Sequence, residues 1–112
     1  MSLDLFAGIY VSDFRAAKAW YTQFFGSEAA WAEGSEAVWE LAESRSIAIE
    51  QNPEHAGHAV QTIFVDDFDT RVAEIAARGV EPSKRETYPN GVRKATYRDL
   101  DGNEIGIGGA PI

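Results

Sequence analysis

The chain has 112 residues, no cysteine and a formal net charge of −8, with a sequence pI near 4.6. The length suits one domain, and the lack of cysteine excludes disulfides and thiolate metal sites. The acidic balance argues against nucleic acid and anionic membranes as partners, because both require basic groups. No apolar run reaches the length of a membrane span and no signal sequence is recognisable, so we expect a cytoplasmic protein.

The first half of the sequence predicts a strand, a helix and three further strands. Residues 5–11 form a strand-like run, and Asp13 is suited to cap a helix over residues 14–25 that Gly26 ends. The apolar residues of this helix recur at three- and four-residue spacing: Ala17, Trp20, Tyr21 and Phe24. Segments 29–31, 37–41 and 46–50 predict three strands, with a hairpin turn at 43–45.

The second half predicts the same order of elements. Residues 60–65 form a strand, and Asp67 caps a helix that Gly79 closes. The apolar stripe of this helix is Val72, Ile75 and Ala76. An extended piece begins at Val80, and a turn at 89–91 leads into a strand at 92–97. Asp101-Gly102 is a tight hairpin signal before the last strand, at 104–107.

An internal duplication becomes visible when residues 9–14 (Ile-Tyr-Val-Ser-Asp-Phe) are aligned with residues 63–68 (Ile-Phe-Val-Asp-Asp-Phe). The first module covers about 3–51, the linker about 52–57, and the second module about 58–110. Two copies are too few for a propeller or a solenoid. The repeat therefore predicts an α+β fold of two tandem βαβββ modules, forming curved mixed sheets around a central groove with the helices outside.

The same segments resemble the vicinal-oxygen-chelate superfamily of glyoxalases, bleomycin-resistance proteins and extradiol dioxygenases. Residues 9–14, with Ala19-Trp20-Tyr21 and Phe25-Gly26, are similar to the family's opening strand and helix. Residues 98–105 resemble its Asp-Pro-Asp-Gly-Asn hairpin, with Leu100 in place of the proline. The resemblance covers nearly the whole chain. It implies a cavity between paired modules and often a homodimer, with the groove formed within one chain or across two.

The resemblance also implies where a metal would bind. Metal-dependent members hold one divalent cation through His, Gln or Glu, and the matching positions here are Phe6, Val60 and Gly106. None of these side chains offers a lone pair to a metal. The remaining candidates are His55, His58 and Glu104, and both histidines fall in or beside the polar linker. We therefore expect no metal and no other cofactor, as in metal-free bleomycin-resistance-like members.

Strand alternation predicts which side chains line the groove. Alternate isoleucines and valines should face the helices: Ile9, Val11, Ile47, Ile49, Ile63, Val65, Ile105 and Ile107. The predicted ligand-binding residues are Phe6, Tyr10, Trp39, Glu50, Val60, Thr62, Phe64 and Glu104, with Trp31 and Tyr88 as further candidates for the wall. Three glycines are expected to leave room for a ligand: Gly8, Gly106 and Gly108. Aromatic faces attract cations, and carboxylates pair with amines or guanidinium groups.

These residues predict a metal-free small-molecule-binding protein that sequesters or senses an aromatic or cationic compound, with no catalytic residues. The alternative is a lyase or isomerase of the glyoxalase and dioxygenase family, using Glu50 or Glu104 as a base or a non-standard metal site. A third possibility is a structural or partner-binding domain whose groove is filled by its own side chains. The sequence contains no nucleophile-elbow serine and no phosphate-cradling loop.

Overall fold

The computed structural model describes residues 3–111, and within them the order of elements repeats. The first half contains β1 (Leu5–Val11), α1 (Phe14–Phe25), β2 (Trp31–Glu33), β3 (Glu36–Ala42) and β4 (Arg45–Gln51). The second half contains β5 (Val60–Val65), α2 (Phe68–Ala77), β6 (Lys84–Thr87), β7 (Arg93–Arg98) and β8 (Glu104–Gly109). Neither helix in this range is long and apolar enough to cross a membrane.

Each half forms one four-stranded mixed sheet. The strand orders are β1-β4-β3-β2 and β5-β8-β7-β6, so the two sheets have the same topology. β1 pairs parallel with β4 and β5 pairs parallel with β8, whereas the remaining pairs are antiparallel. The register is also repeated, because Gly8 lies beside Ala48 and Thr62 lies beside Gly106. The predicted α+β fold of tandem βαβββ modules is confirmed.

The two helices begin in different ways. At α1, the Asp13 carboxylate accepts a hydrogen bond from the backbone N–H of Ala16, as expected for an N-cap. Gly26 ends that helix at φ 80°, a conformation that a residue with a Cβ adopts at a cost. At α2, Asp67 occupies the N-cap position without capping the helix, because its carboxylate pairs with Arg71 instead. The expectation that the Asp67 side chain caps α2 is therefore wrong, although Asp67 does hold the N-cap position.

Two strands begin at least two residues later in the chain than expected. β2 occupies 31–33 rather than 29–31, because its pairing with β3 begins at Trp31 opposite Val38. The extended piece expected from Val80 becomes a strand only at Lys84. Val80 itself is buried in the core, and its N–H donates to the carbonyl of Ile75 at the end of α2.

The buried face of both sheets belongs to one shared core. The isoleucines and valines expected to face the helices lie on this side, six of them buried and Ile63 and Val65 packed against the cluster. α1 joins the two halves: the ring of Phe24 lies 5.0 Å from that of Tyr97 in β7. The Tyr21 hydroxyl donates to Asp99 at 2.8 Å. Burial, reinforced by the Asp99 carboxylate, raises the pKa of Tyr21.

The hairpin between β7 and β8 fastens the second half to the first. Asn103, which is almost completely buried, donates from Nδ2 to the carbonyl of Tyr10 at 2.9 Å and to Asp99 at 2.8 Å. Its Oδ1 accepts from the N–H of Ala59 at 2.9 Å. The Asp101 carboxylate accepts from the backbone N–H and the hydroxyl of Ser12. These bonds hold the end of β1, the start of β5 and the hairpin in one rigid junction.

Candidate functional site

The side of each sheet that faces away from the shared core, here called its outer face, carries most of the predicted ligand-binding residues. Paired residues on neighbouring strands share a face. The outer face of the first sheet consists of Phe6, Gly8, Tyr10, Trp31, Glu33, Glu36, Val38, Glu40, Ser46, Ala48 and Glu50. The outer face of the second sheet consists of Val60, Thr62, Phe64, Lys84, Glu86, Lys94, Thr96, Arg98, Glu104, Gly106 and Gly108.

The first outer face is acidic and aromatic. Glu33 lies opposite Glu36, Glu36 opposite Glu50, and Glu50 beside Tyr10, so three carboxylates form one row across the sheet. None of these glutamates takes part in an ion pair within residues 3–111, and the same holds for Glu40. Directly opposed like charges destabilise a sheet. A positively charged group placed at this row would relieve the repulsion between the carboxylates.

The second outer face combines basic and apolar groups. Arg98 pairs with Glu104 at 3.5 Å and Lys84 pairs with Glu86 at 3.4 Å, while Lys94 forms no ion pair within the described residues. Glu104, predicted to meet a cationic ligand, is thus already engaged by Arg98. The apolar side chains are open to solvent, with Phe64 70% exposed and Val60 65% exposed.

Trp39 does not lie on either outer face, which corrects the prediction that it stacks on a ligand. Its side chain is 2% exposed, and its indole N–H donates to the carbonyl of Ser27 at 2.9 Å. The pairing of β3 with β4 sets Trp39 beside Ile47, on the side of the shared core. Its ring lies 5.5 Å from that of Phe25 in α1. Trp31 does lie on the outer face and is exposed, whereas Tyr88 lies just beyond the end of β6.

Only one of the three glycines expected to leave room does so. A Cβ at Gly8 would meet no atom within 4 Å. A Cβ at Gly106 would lie 2.9 Å from the side chain of Lys94, and one at Gly108 would lie 2.7 Å from the ring of Phe64. The space over these two glycines is thus taken by side chains of the same face, and the open space lies over Gly8 on the first sheet.

The residues at the positions implied for a metal do not fit one. Phe6 and Val60 hold equivalent places at the starts of the outer faces, and the repeat adds Ala48 as the counterpart of Gly106. None of the four side chains has a donor atom. No cluster of three or more His, Cys, Asp or Glu side chains able to hold a metal occurs between residues 3 and 111. Of the other candidates, His55 and His58 are both exposed before β5.

A cavity lies on the core side of the sheets. This cleft of about 1240 Å³ runs between β1, β5 and the ends of the helices, and opens broadly to solvent. Its lining includes Ala7, Trp39 and Ile63 of the core side, and it also reaches Thr62 and Phe64 of the second outer face. Its charged walls are partly occupied, since Arg78 donates to the carbonyls of Gln23 and Phe24 at the end of α1. The unpaired glutamates make the first outer face the stronger candidate for a ligand.

The charged residues that frame the outer faces were not among the predicted site residues. They are Glu33, Glu36, Glu40, Lys84, Glu86, Lys94 and Arg98. A signal for some of them exists in the sequence, because Lys94, Thr96 and Arg98 alternate with Ala95 and Tyr97. The seven predicted residues other than Trp39 do lie on the outer faces, but in two groups, one on each sheet.

Both the sequence and the structure of the chain match known proteins of one superfamily. The family model of the Glyoxalase/Bleomycin resistance protein/Dioxygenase superfamily matches residues 2–107. The crystal structure of a glyoxalase/bleomycin resistance protein from Catenulispora acidiphila DSM 44928 is 52% identical, covering 98% of this chain and 100% of that one, with a TM-score of 0.93. No curated protein sequence matches the chain.

More distant structures share the fold. A bleomycin-binding protein complexed with bleomycin is 14% identical over 96% of this chain and 98% of that one, with a TM-score of 0.78. A lactoylglutathione lyase from Agrobacterium tumefaciens is 19% identical over 97% and 94%, also with a TM-score of 0.78. One fold thus serves a protein named for binding a drug and another named as an enzyme.

Proposed function

Because the chain belongs to the Glyoxalase/Bleomycin resistance protein/Dioxygenase superfamily, we propose that it binds a cationic aromatic small molecule without a metal. The compound lies against the outer face of the first sheet and is sequestered or sensed there. The working form is a homodimer, since a single chain leaves this face open.

The observation that carries the proposal is the row of carboxylates formed by Glu33, Glu36 and Glu50. Three like charges on adjacent strands repel one another, and within residues 3–111 no basic side chain pairs with them. An amine or guanidinium on a ligand relieves this repulsion and gains charge-assisted hydrogen bonds. The row therefore favours a cationic ligand over a neutral or anionic one.

Aromatic side chains next to the row supply the second half of the recognition. Tyr10 stands at the end of the row and Phe6 lies on the same strand, 60% exposed. Trp31 lies across the sheet from them. The open space over Gly8 separates Phe6 from Tyr10, which leaves room for a flat ring between two aromatic groups. Rings of this kind bind cations through their faces as well as by apolar contact.

The family's binding proteins support this choice over catalysis. The bleomycin-binding protein shares the fold and is named for binding a drug. The lyase shares the fold equally well, but here the positions implied for metal ligands hold Phe6, Val60 and Gly106. Metal analysis of the purified protein is a direct check, and a stoichiometric divalent metal would contradict a metal-free function.

Tryptophan fluorescence tests the function and the location together. We expect ethidium or bleomycin to quench the emission and raise the thermal midpoint, with micromolar affinity. Trp31→Phe should remove most of the quenching, because Trp31 is the tryptophan on the outer face. Trp20→Phe is the matched control, since Trp20 lies on α1 against Phe24. Quenching that depends instead on Trp39, which lines the cleft, would place the ligand on the core side.

The carboxylates have their own test. Glu36→Gln with Glu50→Gln keeps the size of both side chains and removes two charges from the row. We expect the affinity for ethidium to fall at least about tenfold, the loss of roughly one charge-assisted hydrogen bond. Glu81→Gln, an exposed change outside both outer faces, should leave the affinity unchanged. Equal affinity in all three proteins would refute a role for the row.

A further inference from the structure

We propose that the chain has a second binding site, at the β6 edge of the second sheet, for a compact oxyanion such as a phosphate or carboxylate group. The site lies between the β6–β7 hairpin and the start of α2, and its two anchors are Arg85 and Arg93. It is separate from the row of carboxylates, which belongs to the first sheet, and its ligand has the opposite charge.

The β6–β7 hairpin is the basic part of an acidic chain. Of the ten Lys and Arg residues in the sequence, five fall within residues 84–98, whereas only one of the eighteen Asp and Glu residues does. The five are Lys84, Arg85, Arg93, Lys94 and Arg98. The whole chain has a net charge of −8, so most of its surface repels an anion. This hairpin is therefore the segment at which an anion is electrostatically favoured.

A pocket of about 200 Å³ opens at this edge of the sheet. Arg85, Thr87 and Arg93 reach it from the core-facing side of β6 and β7, because Arg85 pairs with the buried Ala95 and Thr87 pairs with Arg93. The start of α2 forms the opposite wall. Pockets for drug-sized ligands begin at roughly 300 Å³, so this one suits a small ionic group rather than a whole drug.

Arg93 is held in place with part of its hydrogen-bonding capacity unused. Its Cζ lies 4.6 Å from the centroid of the Phe68 ring, and Nη1 donates to both carboxylate oxygens of Asp69 at 2.9 Å. Nε is buried with no acceptor among residues 3–111, and within that range Nη2 donates to no protein group. Because the guanidinium is already fixed, little side-chain entropy is lost when Nη2 donates to an anion.

Arg85 supplies the second positive group. Arg85 and Arg93 are diagonal neighbours on one face of an antiparallel pair, a separation that long side chains can bridge. Arg85 is exposed and forms no ion pair within the described part of the chain. An oxyanion between the two arginines relieves their mutual repulsion and accepts charge-assisted hydrogen bonds from both. The hydroxyl of Thr87, directly opposite Arg93, is a further donor on this wall.

The other charged residues of the pocket do not cancel this positive charge. Glu86 belongs to the outer face, where a lysine of the same strand already pairs with it at 3.4 Å. Lys94 also projects from the outer face, and its Cε lies 2.9 Å from where a Cβ of Gly106 would be, on the side of the sheet away from the arginines. Asp69 is engaged by Arg93. One carboxylate set against two arginines leaves a surplus of one positive charge.

Titration with inorganic phosphate tests the site, followed by amide ¹H–¹⁵N NMR near neutral pH at constant ionic strength. We expect saturable shifts confined to β6 and the starts of β7 and α2, with a Kd of about 1 mM. Acetate titrated in the same way separates the two sources. Binding of phosphate alone identifies a phosphate site, binding of acetate alone a carboxylate site, and similar affinities a site for either group. No saturable shift with either anion would overturn the proposal.

Two variants should change the affinity for phosphate in opposite directions. Arg85→Gln removes one anchor and should raise the Kd at least about fivefold. Asp69→Asn removes the carboxylate that competes for Arg93 and should lower the Kd about threefold. A gain in affinity cannot come from a damaged fold, so Asp69→Asn keeps the test decisive even if Arg85→Gln is destabilised. Circular dichroism verifies folding of both proteins.

Arg15→Gln and Asp4→Asn are the matched controls, because they make the same two changes at exposed positions outside the pocket. Their Kd values for phosphate should stay within about twofold of the wild type. Unchanged affinity in either pocket variant, or an equal change in its control, would overturn the proposal. Arg85→Gln should leave ethidium binding at the row of carboxylates unchanged, so the two sites are tested separately.

Discussion

Two buried tyrosines illustrate how differently the same side chain contributes at separate places in the core. The Tyr21 hydroxyl donates to Asp99, which also accepts from Asn103, so it belongs to the network that joins the two halves. The Tyr97 hydroxyl is buried with no hydrogen-bond partner among residues 3–111. Burial raises the pKa of both phenols, with the Asp99 carboxylate adding to the effect at Tyr21 and Arg85 opposing it at Tyr97.

Phenylalanine substitutions separate these two roles. Tyr21→Phe should lower the free energy of unfolding by about 1–2 kcal/mol, because a charged acceptor loses a buried donor. Tyr97→Phe should leave it unchanged or raise it, since no protein bond is lost and a buried hydroxyl without a partner is removed. Urea denaturation at neutral pH measures both values. Equal losses would show that the Asp99 bond adds nothing.

The same experiment repeated at alkaline pH tests the raised pKa values. A folded-state pKa above the unfolded value means that the folded protein holds the proton more tightly. The resulting stability is complete below pH about 10, the pKa of a free tyrosine, and is lost as the pH rises above it. We expect each Phe variant to show a shallower alkaline decline than the wild type.

For individual residues, strand alternation correctly predicted the face of the sheet on which most of the candidate side chains lie, and it misplaced Trp39. Phe6, Tyr10 and Glu50 alternate with core residues along strands whose register is simple. Trp39 was misplaced because its face depends on how β3 pairs with β4, and a bulge interrupts that pairing between Glu40 and Ala42. A large aromatic side chain in a strand is compatible with packing in the core and with stacking on a ligand, so its residue type does not decide between them.

Among the elements, β8 shows why glycine recurs in one strand. A Cβ at Gly109 would lie 2.5 Å from the Cβ of Phe68, the buried first residue of α2. The strand and the helix can approach each other this closely only without a side chain at that position. Gly109 therefore sets the spacing between β8 and α2, while Gly8 on β1 has open space above it.

Alanine substitutions at these two glycines should diverge. Gly109→Ala should destabilise the protein by about 2 kcal/mol, because the helix must shift to relieve the overlap. Gly8→Ala should be neutral or slightly stabilising, since its Cβ meets no atom and the unfolded chain loses freedom. Thermal or urea unfolding measures both changes. A tolerant Gly109→Ala variant would refute the close approach of β8 and α2.

Elements with strong local signals were predicted to the residue, and those without were not. β1, α1 and β5 have the expected limits, because alternation, a capping aspartate and a terminal glycine define them. β2 and β6 are short edge strands whose limits are set by their neighbours in the sheet. Pairing of this kind is a long-range property that a local pattern cannot specify.

For the whole molecule, the proposed homodimer should be sensitive to salt, because the two outer faces carry different charges. Raising the ionic strength from about 0.05 to about 0.5 M shortens the screening length several-fold. We expect the dimer Kd to rise several-fold over that range in sedimentation experiments. An interface held by apolar contacts alone would be unaffected or strengthened by salt, so a constant or falling Kd would contradict charge complementarity.

The sequence does not specify which side of each sheet faces the shared core. The repeat predicted two sheets, but the side on which they meet depends on contacts such as Phe24 with Tyr97, more than seventy positions apart. The hairpin motif at 99–103 was recognised by resemblance, and its role as a fastener between halves emerges only from the bonds of Asn103.

The junction at Asn103 has a geometric consequence for how copies of the chain associate. When a molecule carries complementary surfaces on separate sides, the angle between them decides whether association stops or continues. A half-turn relation lets the second contact close on the first molecule, other rotations that close give rings, and only the remaining angles add copies without limit. By locking β1, β5 and the hairpin together, Asn103 holds this angle constant. A loosened junction would no longer fix the angle, and the proposed pair would give way to rings or filaments.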